Sequence, residues 1–281
     1  MTATPTPRHG TILLIGASRG LGRALAAEYL DRGAHVVATV RGARRTALHD
    51  LLPVAGGRLE IEPVDIGEPG QILGLHDRLA GRTFDLLFVD AGVTNGPDET
   101  VADVTDAEFT RLMVINALSP MRVIERLREF VAADGTIAIM SSGQGSIANN
   151  EGGGFEIFRA SKSALNQLMR SYAARRRDDT RTLLLTAPGW IRNTGVGGPA
   201  APLTIEESIP RLVTVIGEQR GRTSSTVAAA RSPGELSRAA SSPHLGSGHR
   251  ARTVSSVSVS AAVLSSRYRT TRANRSATPA G

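Results

Sequence analysis

The sequence predicts an α/β protein built on one open, doubly wound, mostly parallel sheet, followed by an irregular C-terminal tail. Three observations predict it: short apolar runs rich in branched residues recur down the first two thirds of the chain, helical stretches separate them, and a glycine-rich turn joins the first run to the first helix. Strands buried on both faces read as near-continuous apolar runs. Alternation of strand and helix with right-handed crossovers builds such a sheet and places ligands beyond the carboxyl ends of its strands. The 281 residues suit one domain of roughly 200 to 250 residues with an appendage.

The elements follow in order. TILLI (11–15) is the first strand, GASRGLG (16–22) the turn, and LGRALAAEYLDRG the first helix. HVVATV (35–40), RLEIEPV (58–64), FDLLFV (84–89), GTIAIM (135–140) and RTLLLTA (181–187) are the remaining strands. QILGLHDRLAG, AEFTRLMVINALSPMRVIERLREFV and EIFRASKSALNQLMRSYAARRR are helical, and Pro120 should kink or divide the second of these. The segment from Gly195 to Ile216 begins glycine-rich and ends in a short amphipathic helix, as a mobile lid would. Residues 1–217 form the expected domain. Residues 218–281 are low-complexity and basic, with few large apolar side chains to offset chain entropy, so disorder is the expectation and no convincing strand is visible there.

Composition narrows the function. Zero cysteines exclude a disulfide framework and thiolate metal sites, and no metal site is expected. The short polar start and the lack of an apolar run near the roughly 18 residues of a membrane span predict a cytoplasmic protein without a membrane partner. Residues 1–217 carry 23 basic and 24 acidic residues, whereas residues 218–281 carry 10 arginines and two acids. All of the net +7 therefore lies in the tail, and the domain has no basic face for nucleic acid.

Gly16, Gly20 and Gly22 lie directly between a strand and a helix, with Ser18, Arg19 and Leu21 among them. In that context backbone approaches a pyrophosphate and the helix N-terminus attracts its charge. At the end of the second strand stands Arg41 in place of an acid for the ribose hydroxyl. With Arg19 it suits a ribose 2′-phosphate, which favours NADP(H) over NAD(H).

Lys162 is the chain's only lysine among 33 basic residues. A composition that uses arginine elsewhere and keeps one ammonium points to a site where a compact charge of tunable pKa is needed. Together these segments resemble the short-chain dehydrogenase/reductase family over about residues 10–217. GASRGLG is similar to its TGxxxGxG loop, Asp65 with Ile66 to its adenine contact, and Asp90, Ala91 and Gly92 to its NAG element. Asn116, Ser142 and FRASK with Lys162 resemble its catalytic Asn, Ser and YxxxK, and Pro188, Gly189, Ile191 and Thr194 its nicotinamide cover. The resemblance implies a Rossmann fold and hydride transfer between NADP(H) and a small carbonyl or alcohol. In it Ser142 polarises the substrate, Lys162 holds the cofactor ribose and Asn116 positions a water. It also implies a homodimer or homotetramer. Gln144, Asn150 and Trp190 are candidate substrate contacts.

Two site residues depart from the family's pattern. Phe158 stands at the tyrosine position and has no proton to give, and Tyr172 lies ten residues beyond Lys162, about 15 Å further along the predicted helix. Asp90 stands where the family has Asn and, ionised, can only accept hydrogen bonds. Beside turnover, two readings stay open: a cofactor-binding protein impaired in catalysis, and a gene product damaged by a frameshift into the tail.

Overall fold

The computed structural model of the protein describes residues 10–221 and the backbone of 228–231. Seven parallel strands form one sheet in the order β3-β2-β1-β4-β5-β6-β7. They are β1 (Thr11–Ile15), β2 (His35–Val40), β3 (Leu59–Pro63), β4 (Phe84–Val89), β5 (Val131–Met140), β6 (Thr182–Ala187) and β7 (Ala228–Arg231). Sequence order runs outward in opposite directions from β1 and β4. Between those two strands the crossovers diverge and leave a crevice at their carboxyl ends, where ligands of such sheets bind.

Six helices cover the sheet: α1 (Gly20–Asp31), α2 (Pro69–Arg78), α3 (Asp106–Met113), α4 (Ser119–Leu127), α5 (Glu156–Arg175) and α6 (Ile205–Gln219). One face is filled by Leu25, Leu30, Ile209, Leu212 and Ile216 from α1 and α6 against Leu14, Val36 and Phe88. The other is filled by Ile72, Leu75, Ile124, Leu165 and Met169 from α2, α4 and α5 against Leu13, Leu87 and Ile137. Each strand thus buries both faces, which is why its sequence shows no alternation. No helix among the described residues is long and apolar enough to cross a membrane.

The expected elements are present, with four differences. The long helix expected before β5 is not continuous: α3 passes into a π turn at Val114–Leu118 before α4 begins. Pro120 has no N–H to return to the Asn116 carbonyl, so the α ladder cannot close there and the chain opens by one residue. Second, β5 begins at Val131, before the run expected from Gly135, through a register shift against β4 between Phe84 and Leu86. Third, the expected lid over residues 195–216 does not extend into α6. Ser208, Ile209, Leu212, Val213 and Ile216 are buried there, and a helix holding up one face of the sheet cannot swing open.

The fourth difference is β7, in a stretch read as lacking a strand. It pairs in parallel with β6 from Leu184↔Ala228 to Ala187↔Arg231. Three alanines carry no strand signature, but the open backbone edge of β6 supplies the hydrogen bonds that recruit them. The domain therefore reaches past residue 217, while the expectation of disorder for the rest of the tail lies outside the described residues.

Burial of α6 has a measurable consequence. Leu212→Ala is expected to lower stability by about 2–5 kcal/mol in urea unfolding, the cost of a core cavity. A mobile lid would lose almost nothing.

Candidate active site

The glycine turn is shaped by contacts on both sides. Gly16 has φ +97°, and a Cβ there would lie 2.7 Å from the Ala91 backbone. A Cβ at Gly22 would lie 2.1 Å from the Gly16 carbonyl oxygen. Backbone packing demands both glycines. A Cβ at Gly20 (φ +56°) would meet nothing, so that side of the turn faces open space. The Asp90 and Ala91 N–H groups both donate to the Ile15 carbonyl at 2.9 and 3.1 Å, which joins the carboxyl ends of β1 and β4. Gly16 N–H donates to Thr39 Oγ1 at 2.9 Å and Ala17 N–H to the Thr39 carbonyl at 2.8 Å, drawing the end of β2 to the same turn.

The N-terminus of α1 follows with Arg19 at its cap, no side-chain cap and no acid in the first turn. Its positive end is left for an external anion. Arg19, Arg41 and Arg44 are exposed. Arg45 is occupied by Asp50 at 2.6 Å. Asp65 accepts from Gly67 N–H at 2.8 Å, and its own N–H is held by Gln71. With Ile66 buried beside it, Asp65 closes the crevice after β3. A floor of required glycines, an uncapped helix end and exposed guanidiniums fit a dinucleotide carrying an extra phosphate.

Beyond β4 the backbone is clamped by Asn116 on the π turn. Its Oδ1 accepts from Val93 N–H at 2.8 Å, and its Nδ2 donates to the Val93 carbonyl at 2.8 Å and to Ser161 Oγ at 2.9 Å. Ser161 Oγ in turn donates to the Phe158 carbonyl at 2.7 Å. Both amide protons of Asn116 are therefore spent on the scaffold, and the side chain acts as a positioning residue that locks β4, the π turn and α5 together. Ser142 follows β5 and accepts from Gln144 N–H at 3.2 Å, which leaves its hydroxyl proton free to donate. Phe158 lies on the first turn of α5, buried with Leu112 and Ile157 and packed edge-on to Phe155. Among the described residues no other tyrosine replaces the hydroxyl it lacks: Tyr172 is buried within the core behind α5.

Lys162, one turn beyond Phe158, is 4% exposed. Its Nζ donates to the Met140 carbonyl at 2.9 Å and stands 5.8 Å from the centre of the Phe158 ring. Burial pulls its pKa down to about 8, and the Asp90 charge opposes that fall. Burial pushes the Asp90 carboxyl up to about 7, against the pull of Lys162 and of the Gly22 N–H it accepts from. A Cβ at Gly92 would lie 3.3 Å from Asn116 Oδ1, a tight contact, and 3.7 Å from Lys162 Nζ, an ordinary one.

The far wall comes from the segment after β6. Gly189 has φ +90°, Thr194 Oγ1 donates to the Ile191 carbonyl at 2.8 Å, and Ile191 bridges Leu203. Pro188 is anchored through its carbonyl by Ser208 of α6. Trp190 is 41% exposed, Asn150 is exposed and Gln144 is half-buried. The sequence reading missed Asn95, which is buried in the loop after β4. No motif marks it, and only the fold reveals its surroundings.

Comparison with known proteins agrees with this geometry. Residues 16–219 match the family model described as enoyl-(acyl carrier protein) reductase. A Burkholderia multivorans protein assigned to the short-chain dehydrogenases/reductases and solved with bound NADP is 53% identical, with TM-score 0.76, over 80% of this chain and 97% of its own. The chain belongs to the short-chain dehydrogenase/reductase family. A Pseudomonas aeruginosa carbonyl reductase in complex with NADP is 34% identical, with TM-score 0.72, over 79% of this chain and 96% of its own. The 1-hydroxy-2-glutathionyl-2-methyl-3-butene dehydrogenase of Rhodococcus sp. strain AD45 is 30% identical over 184 residues, 64% of this chain and 77% of the relative. The solved relatives are thus matched nearly end to end by four fifths of this chain.

Within this short-chain dehydrogenase/reductase, Lys162 can be observed alone. Protein grown on lysine labelled with ¹³C at Cε should show one side-chain resonance, titrating near pH 8 where an exposed lysine titrates near 10.4. Asp90→Asn removes the opposing charge and is expected to lower that midpoint further. The same substitution tests stability. A carboxyl whose pKa rises on folding favours the unfolded state increasingly as pH climbs from about 3.8 to about 7. The urea midpoint of Asp90→Asn should therefore gain on that of the unaltered protein across that window.

Proposed function

We propose that the protein is an NADP(H)-dependent oxidoreductase that interconverts a small carbonyl and its alcohol, with proton transfer slowed by Phe158. The observation that carries this reading is the convergence of Lys162, Ser142 and the glycine turn at the carboxyl ends of β1, β4 and β5. The NADP found in the Burkholderia and Pseudomonas relatives supports the same cofactor here, as do the exposed guanidiniums of Arg19 and Arg41, which make no ion pair among the described residues. Bound, the nicotinamide supplies or accepts the hydride. Backbone N–H groups at the start of α1 hold the pyrophosphate, Arg19 and Arg41 the ribose phosphate, and Lys162 the nicotinamide ribose.

On the substrate side Ser142 donates to the carbonyl oxygen and polarises it. The proton that a tyrosine would pass has no donor at position 158, and the Lys162 ammonium stands 5.8 Å from the centre of the ring. Phe158 also favours a second reading, a cofactor-binding protein whose turnover is too slow to be its task. Assembly through the π turn, α4 and α5, where Leu118 and Leu168 are 40% exposed, is the pairing we propose for copies of the chain.

Two measurements decide between the readings. Phe158→Tyr is expected to raise kcat for ketone reduction by about 10² to 10⁴, the contribution of a positioned general acid. A typical enzymatic rate in the unaltered protein, with no gain in the variant, would remove Phe158 from the argument. Arg41→Ala should weaken NADPH binding, read by cofactor fluorescence, by roughly tenfold and leave NADH binding nearly unchanged, since only the former carries the phosphate.

A further inference from the structure

Asn95 is 9% exposed, and both Oδ1 and Nδ2 are buried without a hydrogen-bond partner. Among the described residues no other buried carboxamide is left unpaired at both ends. A buried amide in that condition costs about 1–3 kcal/mol for each unmet group, so folds seldom retain one without use. Its position indicates the use. Val93, two residues before it, is clamped by Asn116 and packs against the Phe158 cluster. Thr94 lies where a Cβ on Gly195 would touch it at 2.9 Å, against the segment after β6. Two residues on, the Pro97 carbonyl accepts from Phe155 N–H at 2.9 Å, against the entry to α5. The loop that carries Asn95 therefore runs between the two segments that border the Phe158 ring. In the turn after β5, Gln144 Oε1 is also buried without a partner.

We infer that Asn95 is a specificity-determining residue whose carboxamide hydrogen-bonds a polar group carried next to the reacting carbonyl, so that the substrate class is α-hydroxy or α-dicarbonyl compounds in preference to simple ketones. An amide offers one donor and one acceptor, so it accepts a hydroxyl or a second carbonyl equally well. A methylene in that place leaves the amide desolvated and unpaired, which is how a polar site rejects an apolar isostere. The inference rests on the oxidoreductase reading for the identity of the reacting group, and its test separates the two.

The test compares acetoin with 2-butanone, which differ by one hydroxyl next to the carbonyl. Binding of each to the protein–NADP⁺ complex is followed by saturation-transfer NMR, and reduction by NADPH consumption. The unaltered protein should bind acetoin roughly tenfold more tightly, the worth of one hydrogen bond. Asn95→Leu should erase that ratio through KM, leave NADPH affinity unchanged and hold or raise Tm, because the unmet amide is gone. Asn95→Asp, which keeps the shape but loses the N–H, should reduce the ratio to a smaller extent. An unchanged ratio in Asn95→Leu overturns the proposal, as does a fall in Tm with discrimination intact, which would identify Asn95 as a structural group. Selective binding without reduction would count against the oxidoreductase reading alone.

Discussion

The site depends on a cation held out of water. Lys162 is brought within α5 to the end of β5, where the Met140 carbonyl accepts one of its protons and burial depresses its pKa. An unpaired ammonium in such surroundings would cost several kcal/mol, and Asp90 across the crevice offsets part of that cost. Its placement demands much of the fold. β4 and β5 must be adjacent, and α5 must enter at a fixed angle, set by the left-handed Phe155 (φ 49°) and the bond from its N–H to Pro97.

The two departures from the family meet at this cation. Phe158 removes a titratable hydroxyl on one side of Lys162, and Asp90 adds a titratable carboxyl on the other. Burial raises the Asp90 carboxyl and lowers the Lys162 ammonium while each charge opposes the other's shift, so the protonation of the two groups is coupled. A tyrosine of lowered pKa would instead be the group poised to pass a proton. The geometry that holds a cofactor is thus retained while the proton inventory is altered. Asn116 shows a related division of labour, since its side chain is committed to Val93 and Ser161 and contributes by keeping the floor of the site rigid.

Much of this was legible in the sequence because parallel strands buried on both faces leave an unambiguous apolar signal, and because glycines forced by backbone contact recur at fixed spacing. The strand runs beginning at Thr11, His35 and Phe84 matched β1, β2 and β4 residue for residue. Legibility failed where structure is supplied by a partner. Ala228–Arg231 is a strand through the edge of β6, β5 gains its early residues through a register shift, and α6 is core through contacts with α1 and the sheet. An amphipathic helix carries the same pattern whether it closes over a site or supports it.

By itself the sequence determined the doubly wound sheet, the glycine turn, the sole lysine and the missing hydroxyl at Phe158, because each depends on residue type and local spacing. Only the tertiary structure decided the employment of the Asn116 side chain, the electrostatic coupling of Asp90 and Lys162, and the isolation of Asn95. Burial and hydrogen-bond pairing are properties of what surrounds a side chain. In this protein those surroundings are assembled from strands and loops far apart in the chain.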